Sequence, residues 1–87
     1  MNREIKILIV DDDQAVREGL KMLIGGSEGF QCVAACASAE EALEIIPGTL
    51  PDVVLMDINL PGMNGIECVV CIRSAHPEIQ VMMLTVF

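Results

Sequence analysis

Basic residues are scarce in this chain: five Lys and Arg stand against thirteen Asp and Glu, a net charge of −8 over 87 residues. That balance excludes a nonspecific grip on nucleic-acid phosphates, which needs clustered Lys and Arg. No apolar run approaches the roughly 18 residues that a membrane span requires. The opening MNREIKILIVDDD has one short apolar run that passes straight into acid, unlike a secretory leader. A soluble cytoplasmic protein is therefore expected. The four cysteines, Cys32, Cys36, Cys68 and Cys71, then lack the oxidising context that would favour disulfides. Repeats, low-complexity stretches and linkers are also absent, so residues 1–87 are expected to form one unit.

Apolar residues, by contrast, are abundant, at 53% of the chain. Small domains bury a smaller fraction of their surface than large ones, so this chain carries more apolar side chains than it easily hides alone. Either part of the core lies elsewhere or a partner shares it.

The apolar residues fall into a clear order. IKILIV (5–10) is a short β-branched run without alternation, as expected of a strand buried on both faces of a parallel sheet. In the following DQAVREGLKMLIGG, Val16, Leu20, Leu23 and Ile24 recur at helical spacing, with Asp13 as N-cap and Gly25-Gly26 as the stop. FQCVAACA (30–37) reads as a second strand. Ser38 to Glu41 fit a capping box, opening a helix over Ala39–Ile46 that Pro47-Gly48 should end. PDVVLMD (51–57) is a third strand and INLPGMNG a turn-rich loop. A third helix over Gly65–Ala75 is broken by His76-Pro77, and IQVMMLTVF (79–87) is a fourth strand. Strands alternating with helices predict an α/β fold with a parallel sheet and right-handed crossovers.

In such sheets ligands bind at the carboxyl ends of the strands. Three of those ends are polar: Asp11-Asp12 after the first strand, Asp57 after the third and Thr85 late in the fourth. A strand order of 2-1-3-4 brings them to one cleft. There Asp11, Asp12 and Asp57 can share a hard divalent cation. Mg²⁺ fits best, since it takes oxygen ligands and is commonly held by one or two carboxylates plus a phosphate. Asp13 serves instead as a helix cap. The plainer alternative for DDD alone, caps and turn formers at a strand-to-helix turn, is weakened by Asp57 at a second strand end.

LIVDDDQAVREGL, DVVLMDINLPGMNGIE and VMMLTVF together resemble the receiver domain of bacterial two-component response regulators, of the kind that carries a helix-turn-helix output domain. The resemblance runs along essentially the whole chain. It implies a flavodoxin-like three-layer fold, with Asp57 as phosphoacceptor, a carboxylate nucleophile that forms an acyl phosphate. It further implies Asp11 and Asp12 as Mg²⁺ ligands, the Asn59 backbone carbonyl as another, Thr85 as the switch hydroxyl, and Pro61 and Gly65 as shapers of the loop over the site. The implied partner is a sensor histidine kinase, and the implied output a DNA-binding domain outside this segment.

Domains of that family continue with a helix, a strand and a helix, and a lysine on that later strand pairs with the phosphoryl group. Lys6, on the first strand, and Lys21, on the first helix, cannot take its place. The chain is thus expected to be about the N-terminal two-thirds of a complete receiver. Its fourth strand would be an open edge and one sheet face partly uncovered, favouring homo-oligomers through either surface. Two other functions compete. One is a pure interaction or dimerisation fragment without phosphoryl chemistry. The other is a Mg²⁺-dependent phosphohydrolase, disfavoured because Asn59 stands where haloacid-dehalogenase-type phosphatases need a second Asp as general acid.

The remaining features have bland readings. Cys68-Val-Val-Cys71 matches C-x-x-C but lies inside a predicted helix, and Cys32 and Cys36 lie on a strand, so core packing is expected rather than redox or Zn chemistry. His76 is a solvated helix terminus. Met82 and Met83 combine core with exposed surface, and Glu40, Glu41 and Glu44 form a solvated helix face.

Overall fold

The computed structural model describes residues 3–84. The chain runs β1 (Ile5–Val10), α1 (Gln14–Gly25), β2 (Phe30–Cys36), α2 (Ala39–Thr49), β3 (Val53–Asp57), α3 (Gly65–Ala75) and β4 (Gln80–Leu84). The strands form one sheet of order β2-β1-β3-β4, and every neighbouring pair is parallel. This is an α/β fold with the parallel sheet that the strand–helix alternation predicts, in the 2-1-3-4 order that brings the polar strand ends to one cleft.

Alternation along β1 divides the core in two. Leu8 and Val10 face α2 and α3, packing with Ala42, Ile46, Val54, Met56, Cys68 and Ile72. Ile7 and Ile9 face the opposite way, where they meet Ile24 of α1. The second layer is thinner. Leu55 and Val53 lie on that side only half-buried, and Met82, registered beside Leu55, is 59% exposed. The edge strand β4 thus bears the uncovered apolar surface anticipated from composition, and both Met82 and Met83 are exposed rather than core.

Several local expectations need correction. α2 does not stop at Pro47-Gly48 but continues to Thr49, with Leu50 as a left-handed C-cap at φ 45°. Pro47 sits in the last turn, where only one helical hydrogen bond is lost. The Leu50 N–H still reaches Ile46 O at 2.8 Å, and Thr49 Oγ1 donates to Ile45 O at 2.9 Å. β3 begins at Val53, not residue 51. Pro51 has no N–H to offer a ladder; Asp52 joins β1 through its N–H to Lys6 O at 2.8 Å and through its side chain, which accepts Lys6 N–H at 2.9 Å and pairs with Arg3 at 2.8 Å. Gly25 belongs to α1, whose cap is Gly26. Leu23, expected in the core, is 69% exposed; of the four apolar positions on α1 only Ile24 is fully buried.

Candidate functional site

The site is built where β1 and β3 end side by side. Val10 pairs with Met56, so the residues that follow, Asp11 and Asp57, emerge from the sheet together. Both are buried, with 2% and 7% of their surface exposed, while Asp12 is exposed. One carboxylate oxygen from each of Asp11, Asp12 and Asp57 lies within 4.8 Å of the others. Together with Asp13, Val16 and Asn59 they line an open cleft of about 200 Å³.

Each buried carboxylate is held by the backbone two residues ahead of it. Asp11 Oδ1 accepts the Asp13 N–H at 2.9 Å, and Asp57 Oδ1 accepts the Asn59 N–H at 3.2 Å. The Asp11 peptide is fixed on both sides as well. Its N–H donates to Cys36 O at 3.0 Å, and its carbonyl accepts Arg17 Nη1 at 2.8 Å. Asp13 is occupied as the cap of α1, accepting Ala15 N–H at 2.8 Å and Val16 N–H at 3.3 Å. Of the three neighbouring aspartates, Asp13 thus caps α1, while Asp11 and Asp12 cluster with Asp57.

The electrostatics of this arrangement are unfavourable without a counter-ion. Burial pushes the Asp11 carboxyl above its ordinary range; the Asp13 N–H opposes that rise, and the charges of Asp57, Asp12 and Asp13 add to it. Among the described residues, no ion pair involves Asp11, Asp12 or Asp57. Buried charges ordinarily pair or coordinate a metal. An all-oxygen donor set of this kind, with the second oxygen of each buried carboxylate outside any side-chain-to-backbone tie, suits a hard cation such as Mg²⁺.

The β3–α3 loop forms the other wall. Leu60 is buried beneath it, and Asn59 is exposed at the cleft. Pro61 lines a neighbouring hollow of about 530 Å³ together with Asp12, Asn59 and Leu60. Gly65 opens α3, directly against the Asp57 backbone; a side chain there would run into the Asp57 carbonyl oxygen. The expectation that Gly65 shapes the loop therefore has a steric basis. Thr85 lies outside the described residues.

Four contributing residues carry no reading in the sequence analysis that places them here. Arg17 offers no local signal, because its partner is a backbone carbonyl. Glu40, grouped with the solvated face of α2, is exposed but accepts the Met63 N–H at 3.2 Å. Asn64 and Glu67 form a full reciprocal capping box on α3, which the N-x-x-E spacing could have announced. The Ser38–Glu41 box is only half made: Ser38 Oγ accepts Glu41 N–H, but the Glu41 carboxylate reaches back to Ala37 N–H. The cysteines contribute nothing to the cleft. Cys36 and Cys68 are buried in the core and half-buried Cys32 packs against its second cluster, so core packing holds for these three and fails for exposed Cys71. His76 caps α3 through its backbone, 3.7 Å from Glu78.

Comparison with known proteins agrees with this geometry. The family described as response regulator receiver domain matches residues 7–87. The chain is 48% identical, over 88% of its length, to protein-glutamate methylesterase/protein-glutamine glutaminase 2 of Paramagnetospirillum magneticum, of which it covers 22%. It is 40% identical, over 94% of its length, to the response regulator GacA of Pseudomonas syringae, of which it covers 38%. Among solved structures, the response regulator domain of Thermotoga maritima CheB superposes with a TM-score of 0.87 at 34% identity, covering 93% of this chain and 60% of that one. The chain thus spans well under half of these curated relatives. Fold, acidic cleft and sequence converge, and the chain belongs to the response regulator receiver domain family of two-component systems.

Proposed function

We propose that this chain accepts a phosphoryl group on Asp57 from a phosphohistidine of a sensor kinase, with Mg²⁺ held by Asp11, Asp12, Asp57 and the Asn59 carbonyl. The observation that carries the reading is the buried Asp57 at a strand end, sharing a 4.8 Å cluster with Asp11 and Asp12. Receiver domains generally bind Mg²⁺ at such an acidic pocket. A free oxygen of the Asp57 carboxylate attacks phosphorus. The P–N bond to the kinase imidazole breaks, and the imidazole nitrogen keeps the electron pair and takes a proton. The Asn59 N–H holds the other oxygen of Asp57, which orients the attacking one. Mg²⁺ would neutralise charge on the transferring oxygens. Thr85 is assigned as the hydroxyl that meets the phosphoryl group. The chain is a phosphoacceptor rather than a turnover enzyme.

The chain corresponds to roughly the first two-thirds of a receiver domain, cytoplasmic and part of a regulator with a DNA-binding output. Its similarity to GacA and to a LuxR-family response regulator supports that output. Intact mass after incubation with Mg²⁺ and a small acyl-phosphate donor tests the proposal. One added phosphoryl group, absent in Asp57→Asn, supports it. A folded protein that gains nothing would overturn it.

The exposed edge strand favours a second reading, an interaction fragment that self-associates. Met82 and Met83 of β4 are both exposed, and β4 has β3 as its one neighbour among the described strands. A second copy pairing along β4 would cover them. Sedimentation at increasing concentration tests this, and a monomer throughout excludes it.

A further inference from the structure

Glu40 lies in the first turn of α2, yet its carboxylate bonds a different element. Oε2 accepts the Met63 N–H at 3.2 Å, across 23 residues of sequence. The neighbouring Gly62 has φ +73°, and a Cβ built there would lie 3.0 Å from the same Oε2. Only glycine both adopts this backbone cheaply and leaves room for the carboxylate to approach the loop. The contact is therefore a fitted one, made by a glycine on one side and an acidic side chain on the other.

The loop has few other ties on this side. Leu60 is buried below it, Met63 packs partly against the core, and the Asn64–Glu67 box begins the next helix. Between Asp57 and the Glu40 tie run Ile58 to Gly62, with Asn59 facing the acidic cleft. Removing the tie leaves this stretch held near its start, by the Asn59 N–H on Asp57 Oδ1 and the Gly65 N–H on Ile58 O at 3.3 Å, and by buried Leu60, with no such bond at Gly62–Met63.

We infer that Glu40 is a positioning residue for the cation site: by holding the Gly62–Met63 peptide it sets the path of the β3–α3 loop, and hence where the Asn59 main chain meets Asp11, Asp12 and Asp57. The inference rests on the reading of those aspartates as a Mg²⁺ site. Partners one step removed from a metal's ligands commonly govern its affinity in this way.

The test compares the wild-type chain, Glu40→Ala and Glu40→Gln. Two quantities are measured: Mg²⁺ affinity by calorimetric titration and exchange of the Met63 amide by NMR without metal. Glu40→Ala should speed Met63 exchange several-fold and weaken Mg²⁺ binding about 3- to 10-fold, as expected for loss of one exposed hydrogen bond. Glu40→Gln removes the same charge but keeps an acceptor oxygen, and should restore both values to within about twofold of wild type. Glu40→Gln behaving like Glu40→Ala overturns the hydrogen bond as the cause. Faster Met63 exchange with unchanged Mg²⁺ affinity overturns the inference alone. No Mg²⁺ uptake by the wild-type chain overturns the cation reading and the inference with it.

Discussion

Gly65 lies against the carbonyl oxygen of Asp57, with no room between them for a Cβ. The first residue of α3 and the last residue of β3 thus share one tight backbone contact, at the edge of the acidic cleft. Gly65→Ala must push the Asp57 peptide or the start of α3 aside. Backbone displaced by overpacking typically costs about 1–3 kcal/mol. Urea unfolding should show that loss, and Mg²⁺ titration should show weaker binding, because the displaced peptide carries Asp57. Gly19 supplies the contrast. It lies within α1 with nothing near its Cβ position, so Gly19→Ala should raise stability by about 0.5–1 kcal/mol through helix propensity.

Burial and the surrounding aspartates give the metal-free protein a specific pH dependence. The Asp11 carboxyl is pushed above its ordinary value of 3.8, first by desolvation and then by Asp57, Asp12 and Asp13 against the pull of the Asp13 N–H. A raised carboxyl favours the protonated form in the folded state. Its stabilising contribution is therefore present below the ordinary value and lost as pH rises through the raised one. Metal-free stability attributable to Asp11 should fall as pH rises above the ordinary carboxyl value of 3.8. Asp11→Asn should flatten that part of the profile and melt higher than wild type at pH 7. Mg²⁺ competes with the proton, so its affinity should rise with pH over the same window. Saturating Mg²⁺ at about 100 times Kd should add about 2.7 kcal/mol to the wild-type chain, and much less to Asp11→Asn. Chemical denaturation from pH 4.5 to 8, with and without Mg²⁺, checks all of this.

The main lines of this site were legible because they obey rules of short range. Apolar runs ending in acid mark strand ends, a βα alternation places those ends on one edge, and the 2-1-3-4 order sets Asp11 and Asp12 beside Asp57. Asp13 was legible as a cap because its partners, Ala15 and Val16, are two and three residues away. Glu40, Arg17 and Asp52 were not. Each bonds a backbone group whose position depends on the finished fold, and a backbone group carries no residue identity to search for. Pro47 misled because a rule for helix interiors was applied to a last turn. Leu23 misled because helical spacing predicts a face, not the width of the sheet beneath it.

Thiol reactivity should separate the four cysteines sharply. Burial pushes the Cys36 thiol up to about 12 and the Cys68 thiol up to about 11, and both side chains are enclosed. Neither has thiolate to offer at neutral pH. Cys71, exposed on the outer side of α3, should alkylate first, and the half-buried Cys32, also raised by desolvation, should follow slowly. Peptide mass mapping after brief iodoacetamide treatment should find Cys71 modified and Cys36 and Cys68 untouched until denaturant is added. Rapid labelling of Cys36 in the native protein would contradict the packing of β2 against α2.

Arg17 offers a test of how the first loop is held. Its guanidinium donates to the Asp11 carbonyl at 2.8 Å from a half-buried position, and no carboxylate pairs with it among the described residues. The bond joins α1 to the turn that leaves β1, at the residue whose carboxylate enters the cleft. A hydrogen bond from a charged donor is worth about 1.5–3 kcal/mol in favourable cases and less where water competes. Arg17→Ala should therefore destabilise the fold by about 1–2 kcal/mol in urea unfolding. Arg17→Lys, a single point donor on a shorter reach, should recover only part of that loss. An alternative role for Arg17, simple relief of the acidic cluster by its charge, predicts a different result. Lysine would then restore stability fully, and the deficit of Arg17→Ala would shrink in high salt. The hydrogen-bond role predicts a deficit that persists at 1 M NaCl, since a half-buried bond to a carbonyl is little screened.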